Sequence, residues 1–133
     1  MKKTLIAIML VCSLLCSFIS CGDKSNDFTV DDIVAHFDES IYYAQDYNPE
    51  QIDEIKEKLI LEGDICAIVH ITDQSINESG NWAYIYELSD EADAISIEKD
   101  RSEYLKATDE NGTCVRFGKI VVFGNAPEIS SIQ

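Results

Sequence analysis

The sequence predicts an α+β fold, a two-layer sandwich in which two to three helices pack on a mainly antiparallel sheet of about four to five strands. Three observations carry this. Helix-start signatures at Thr29 and Asn48 are each followed by apolar residues at helical spacing. Runs rich in β-branched and aromatic residues come between and after them, and a Gly118-Lys119 pair sits between the last two such runs.

Taken in order, Thr29 can accept a hydrogen bond from the amide at the third helical position, where Asp32 complements the helix dipole, and Phe28 and Ile33 stand at staple positions. Val30, Ile33, Val34 and Phe37 then form one stripe, which predicts a first helix ending near Ser40. Residues 41–45 favour a short strand. Asn48 caps a second helix with Pro49 at its first position and Gln51 closing the box; Ile52, Ile55, Leu59 and Ile60 supply its buried stripe and Gly63 its C-terminal cap.

Residues 65–71 and 82–88 read as two strands of a hairpin with a long loop, the first apolar on both faces and therefore central. A third helix over residues 90–106 is expected to cover one sheet face with Ala92, Ala94, Ile95, Ile97, Tyr104 and Leu105. Glycine first in a two-residue loop marks a type II′ hairpin. That register sets Phe117 opposite Ile120, Val115 opposite Val122 and Cys114 opposite Phe123. The order is α-β-α-β-β-α-β-β, and residues 124–133 read as a surface turn.

The first 20 residues differ in kind. Lys2 and Lys3 precede an almost continuously apolar run that ends Phe18-Ile19-Ser20-Cys21. This resembles a bacterial lipoprotein signal peptide, with a small residue at Ser20 before a lipid-accepting Cys21; Phe18 stands where that family usually has an aliphatic residue. The resemblance implies cleavage before Cys21, attachment of a diacylglyceryl group to its thiol so that palmitate labels the protein, and an extracytoplasmic domain held at the cell membrane. Residues 1–20 are then the signal peptide, 21–27 a polar tether and 28–133 a single domain. An uncleaved anchor is the other reading, although a largely apolar run of sixteen residues, 4–19, falls short of the roughly 20 a spanning helix needs. The body also resembles small lipoproteins of clostridia and related bacteria, through Thr29-Val30-Asp31-Asp32-Ile33 and Val121-Val122-Phe123-Gly124. That likeness implies a similar α+β fold and carries over no activity.

Charge narrows the partners. Beyond the leader, 8 basic residues face 25 acidic ones, a net charge of −17 that repels phosphate backbones and anionic headgroups. No nucleic acid is expected as a partner; the membrane is reached through the lipid alone. No serine stands in a nucleophile-elbow context, there is no glycine-rich phosphate loop, and no cysteine or histidine pair has zinc-ligand spacing, so neither an enzyme, a cofactor nor a metal centre is expected.

Two features carry alternatives. Cys66 and Cys114 form a disulfide closing 48 residues, with about 3 to 4 kcal/mol of stabilisation, if their strands adjoin and they share a face; otherwise they are two apolar core thiols. Trp82, Tyr84 and Tyr86 alternate along one strand face, an interaction patch if the third helix leaves it open and ordinary core if the helix covers it. The functional expectation is a lipid-anchored binding or adaptor module acting on another envelope protein. The alternative is an acidic lipoprotein that binds a cation or small ligand.

Overall fold

The computed structural model describes residues 28–75, 80–109 and 111–132. Helix α1 (Val30–Val34), strand β1 (Tyr42–Asp46), helix α2 (Pro49–Lys56), strands β2 (Ile65–Asp73) and β3 (Trp82–Leu88), helix α3 (Glu91–Thr108), strands β4 (Thr113–Phe117) and β5 (Ile120–Gly124), and a 3-10 helix (Pro127–Ser131) follow in that order. The strands form one antiparallel sheet in the spatial order β1-β2-β3-β5-β4. The expected α+β class and element order are those observed.

Both expected N-terminal boxes form. Thr29 accepts from the Asp32 amide and the Asp32 carboxylate accepts from the Thr29 N–H; Asn48 and Gln51 do the same ahead of Pro49. The β4–β5 register pairs Phe117 with Ile120, Val115 with Val122 and Cys114 with Phe123. Gly118 supplies the positive φ of 59° that the first residue of this turn demands, while Lys119 stays negative.

Four details differ from expectation. Helix α1 stops at Val34, because Asp38 takes hydrogen bonds from the Ser40 amide and hydroxyl at 2.8 and 2.7 Å and so builds a turn that competes with the helix. Helix α2 stops at Lys56, leaving Ile60 fully exposed and Gly63 in a loop. That loop is held from α3: the buried Asp93 carboxylate accepts from the Glu62 and Gly63 amides at 3.0 and 2.7 Å. On α3 itself, Ile95 and Tyr104 are exposed, and Asp93, Ala94, Ile97 and Leu105 are the residues it buries. Finally, the C-terminal segment is core: Ala126, Ile129 and Ile132 are buried, their three-residue spacing matching one side of a 3-10 turn.

That tail gives the sheet a second covering layer. On one face Ile33 and Phe37 from the α1 region, with Ala126, Ile129 and Ile132, cover Val69, Ile71, Ala83, Ile85, Ile120 and Val122. On the other, Ala94, Ile97 and Leu105 of α3 cover Ile68, Tyr86, Leu88, Val121 and Phe123, with Ile52 and Ile55 of α2 packed alongside. β5, between β3 and β4, is buried along its whole length. It ends at Gly124, where φ is 153° and a Cβ would lie 2.2 Å from the Trp82 carbonyl oxygen, so only glycine fits.

Candidate functional site: an aromatic row ending at a bare sheet edge

Strand register assembles a chemically distinctive surface. Residues opposite one another in antiparallel strands share a face. Gln45, His70, Tyr84, Phe123 and Cys114 therefore form a row across all five strands on the α3 face. The His70 and Tyr84 rings stack 4.3 Å apart at 4°, and Tyr84 stacks on Phe123 at 5.5 Å and 22°. Trp82 meets Tyr84 and Phe123 edge to face, and Tyr47 does the same to Tyr84, with the two tyrosine hydroxyls 3.3 Å apart. Arg101 of α3 closes the far end, its guanidinium 5.5 Å from the Phe123 ring and 5.9 Å from that of Tyr104.

Cover over this row is uneven. Tyr86, one rung further toward the α3 N-terminus, is buried, whereas Trp82 and Tyr84 are half-buried. The expected aromatic patch is thus divided, with one residue in the core and two at its margin. Beyond them, on β1, Tyr43 is 59% exposed and Gln45 is exposed. Partial burial holds the His70 imidazole below its ordinary value and so keeps it neutral, and burial followed by the Tyr47 hydroxyl pushes the Tyr84 phenol up. Burial also raises the Cys114 thiol, whose sulfur donates to the Glu98 carbonyl at 3.6 Å.

These positions exclude several chemistries. Cys66 on β2 and Cys114 on β4 are both free thiols; β3 and β5 lie between their strands, about 14 Å at three strand spacings, so the disulfide does not form. A bulge between Ile65 and Ala67 also breaks the alternation that would set Cys66 with Ile68 and His70, and Cys66 is exposed. The same separation keeps His70 from Cys114, so they form no nucleophile and base pair. Among the described residues, no group of three or more His, Cys, Asp or Glu side chains is placed to hold a metal ion. Nor, among them, is any helix long and apolar enough to cross a membrane. Cys21 lies outside the described residues.

Among the described residues, the row runs out at a free strand edge. Tyr47 N–H bonds to the Ile68 carbonyl and Gln74 N–H to that of Ile41, which fixes the parity of the β1–β2 ladder. Tyr43 and Gln45 point their backbone groups inward; Tyr42, Ala44 and Asp46 point theirs out. Tyr42 is satisfied locally, its N–H by the Asp38 carbonyl and its carbonyl by the Gln74 side-chain Nε2. Ala44 and Asp46 offer their N–H and C=O groups to the outside. Beside them, on the α1 face, lies a groove of about 310 Å³ whose walls include Val34, Phe37, Tyr42 and Ile71.

Sequence reasoning reached Trp82, Tyr84 and Tyr86 through their alternation, but not His70 as a stacking partner, nor Arg101 and the β1 edge. His70 and Tyr84 are joined by cross-strand register, which a long loop leaves unspecified; Asp38 and Ser40 were the local signal for the edge. Compared with protein-family models, with curated proteins and with solved structures, the chain matches none.

Proposed function

We propose that this chain is a lipid-anchored, extracytoplasmic binding module of a bacterial envelope that docks another envelope protein through the β1–β2 half of its sheet. The observation that carries the reading is the aromatic row, closed by α3 and Arg101 at one side and open at Tyr43, Trp82 and Tyr84 at the other. Interfaces favour such half-buried aromatic residues. Support for the anchor comes from Ser20-Cys21 behind its apolar run, where acyl chains contribute about 0.8 kcal/mol per buried methylene.

The entry point of the chain agrees with this use. Phe28 packs on Phe117 of β4, ring centroids 4.8 Å apart, so a tether arrives at the edge opposite β1. Seven residues reach at most about 25 Å, which keeps the domain beside the bilayer. In cells, palmitate labelling and membrane sedimentation that both vanish in Cys21→Ala are the expected result. Photo-crosslinkers placed at Tyr43 and, as the remote position, at Ile60 test the docking half. One reproducible envelope partner captured at Tyr43 and not at Ile60 in the anchored protein supports the reading; retained labelling in Cys21→Ala, or capture at Ile60 alone or at neither position, would overturn it.

A further inference from the structure

We infer that the free edge of β1 accepts an extended, positively charged segment of the partner as a sixth strand, a proposal that deepens the docking reading above. The edge supplies the hydrogen bonds: Ala44 and Asp46 present two N–H and two C=O groups outward in antiparallel register. An incoming residue paired with Ala44 shares its face and lies over the 310 Å³ groove beside Phe37 and Ile71, which suits an apolar side chain. Its neighbours in sequence project to the other face, beside Tyr43 and Gln45, and extend the aromatic row. The site therefore asks for alternation of apolar and polar residues.

Charge fixes the sign of the polar ones. The 28 residues from Phe28 to Ile55, which contain α1, β1 and all of α2 except its last residue, Lys56, hold eight carboxylates and neither lysine nor arginine. Asp38, Glu39 and Asp46 stand at the edge itself, all exposed. A lysine or arginine beside Tyr43 gains an aromatic face, while Asp46 on the Ala44 face and Glu39 beside the groove attract it through the negative field of the edge rather than by direct pairing. The same distribution argues against a second copy as the occupant. Antiparallel pairing of two β1 strands would bring Asp46 of one copy toward Asp38 and Glu39 of the other, between domains that each carry a large negative charge.

The test uses the purified full-length chain and two synthetic probes, blocked octapeptides of alternating valine and lysine or alternating valine and glutamate. With the lysine peptide, the Ala44 and Asp46 amides, rapidly exchanging in the free protein, should become protected, while the glutamate peptide has no effect. Ala44→Pro removes only an outward-facing N–H and should weaken binding about tenfold with the thermal melt preserved. Asp46→Lys should weaken it as well, a second variant that leaves the backbone untouched. Equal binding of the lysine peptide by wild type, Ala44→Pro and Asp46→Lys would reveal adsorption to the acidic surface and overturn the proposal. So would protection of Ala44 and Asp46 in concentrated, peptide-free protein, which would show a second copy on the edge. In-cell capture separates the two claims: a partner taken at Tyr43 without any binding of the lysine peptide leaves the docking half standing and removes the sixth strand, whereas peptide binding without any cellular capture does the reverse.

Discussion

The two edges of the sheet are built differently. At β4, Phe117 is packed by Phe28, and Arg116 is tied to Glu98 and Glu91 of α3 at 2.8 and 3.0 Å and to the Gly118 carbonyl at 2.9 Å. At β1, four of the five residues are exposed. Natural proteins usually guard a strand edge with lysine, proline or a covering element. Here one edge is guarded by packing and ion pairs, and the other by carboxylates alone. A purely anionic guard turns away copies of the same acidic chain yet admits a cationic strand, so the contrast assigns stability to one side of the sheet and recognition to the other.

Breaking the closed side should have the largest effect. Gly124→Ala forces a Cβ against the Trp82 carbonyl at a backbone angle that disfavours side chains, and should cost about 3 kcal/mol or more in a urea melt. Asp93→Ala comes next. It strands the Glu62 and Gly63 amides that pin the α2–β2 loop, an expected loss of about 2 kcal/mol by the same measurement.

The aromatic row between the two sides should show itself through pH. His70 sits below its ordinary value of 6.5 because burial disfavours the charged ring. Its contribution is therefore present above about pH 6.5 and lost as the pH falls through the lower folded value. Between about pH 7 and pH 5, wild type should lose more stability than His70→Phe, which keeps a ring in the stack. Equal losses would place the acid sensitivity elsewhere. On the open side the effect on folding is smallest: Tyr43→Ser should change stability by no more than about 0.5 kcal/mol while weakening the lysine-peptide interaction. A large folding loss there would mean that β1 belongs to the cooperative core.

Local signals made much of this legible in the sequence. Both N-terminal boxes, Pro49, strand β3 and the register set by Gly118-Lys119 depend on residues within a few positions of one another, and they stand as expected. What was not legible depends on distant partners. Gly63 looks like a helix cap until Asp93 arrives from α3 to bind its amide. Ile129 looks like part of a surface turn until the sheet face left open by α3 is seen to need cover, and Cys66 and Cys114 look like a bonding pair until β3 and β5 insert between their strands. The edge was hidden for the same reason, since β1 is an edge only once β2 has paired on its inner side and, among the described residues, no strand has paired on its outer one.

Residue-resolved amide hydrogen exchange on the free full-length chain tests this asymmetry most directly. Val121 and Val122 in β5 should exchange only through global unfolding, whereas Ala44 and Asp46, with amides directed outward, should exchange near the unprotected rate. Protection at Ala44 and Asp46 comparable to that of β5 would contradict the account, because the edge assigned to recognition would then already be occupied.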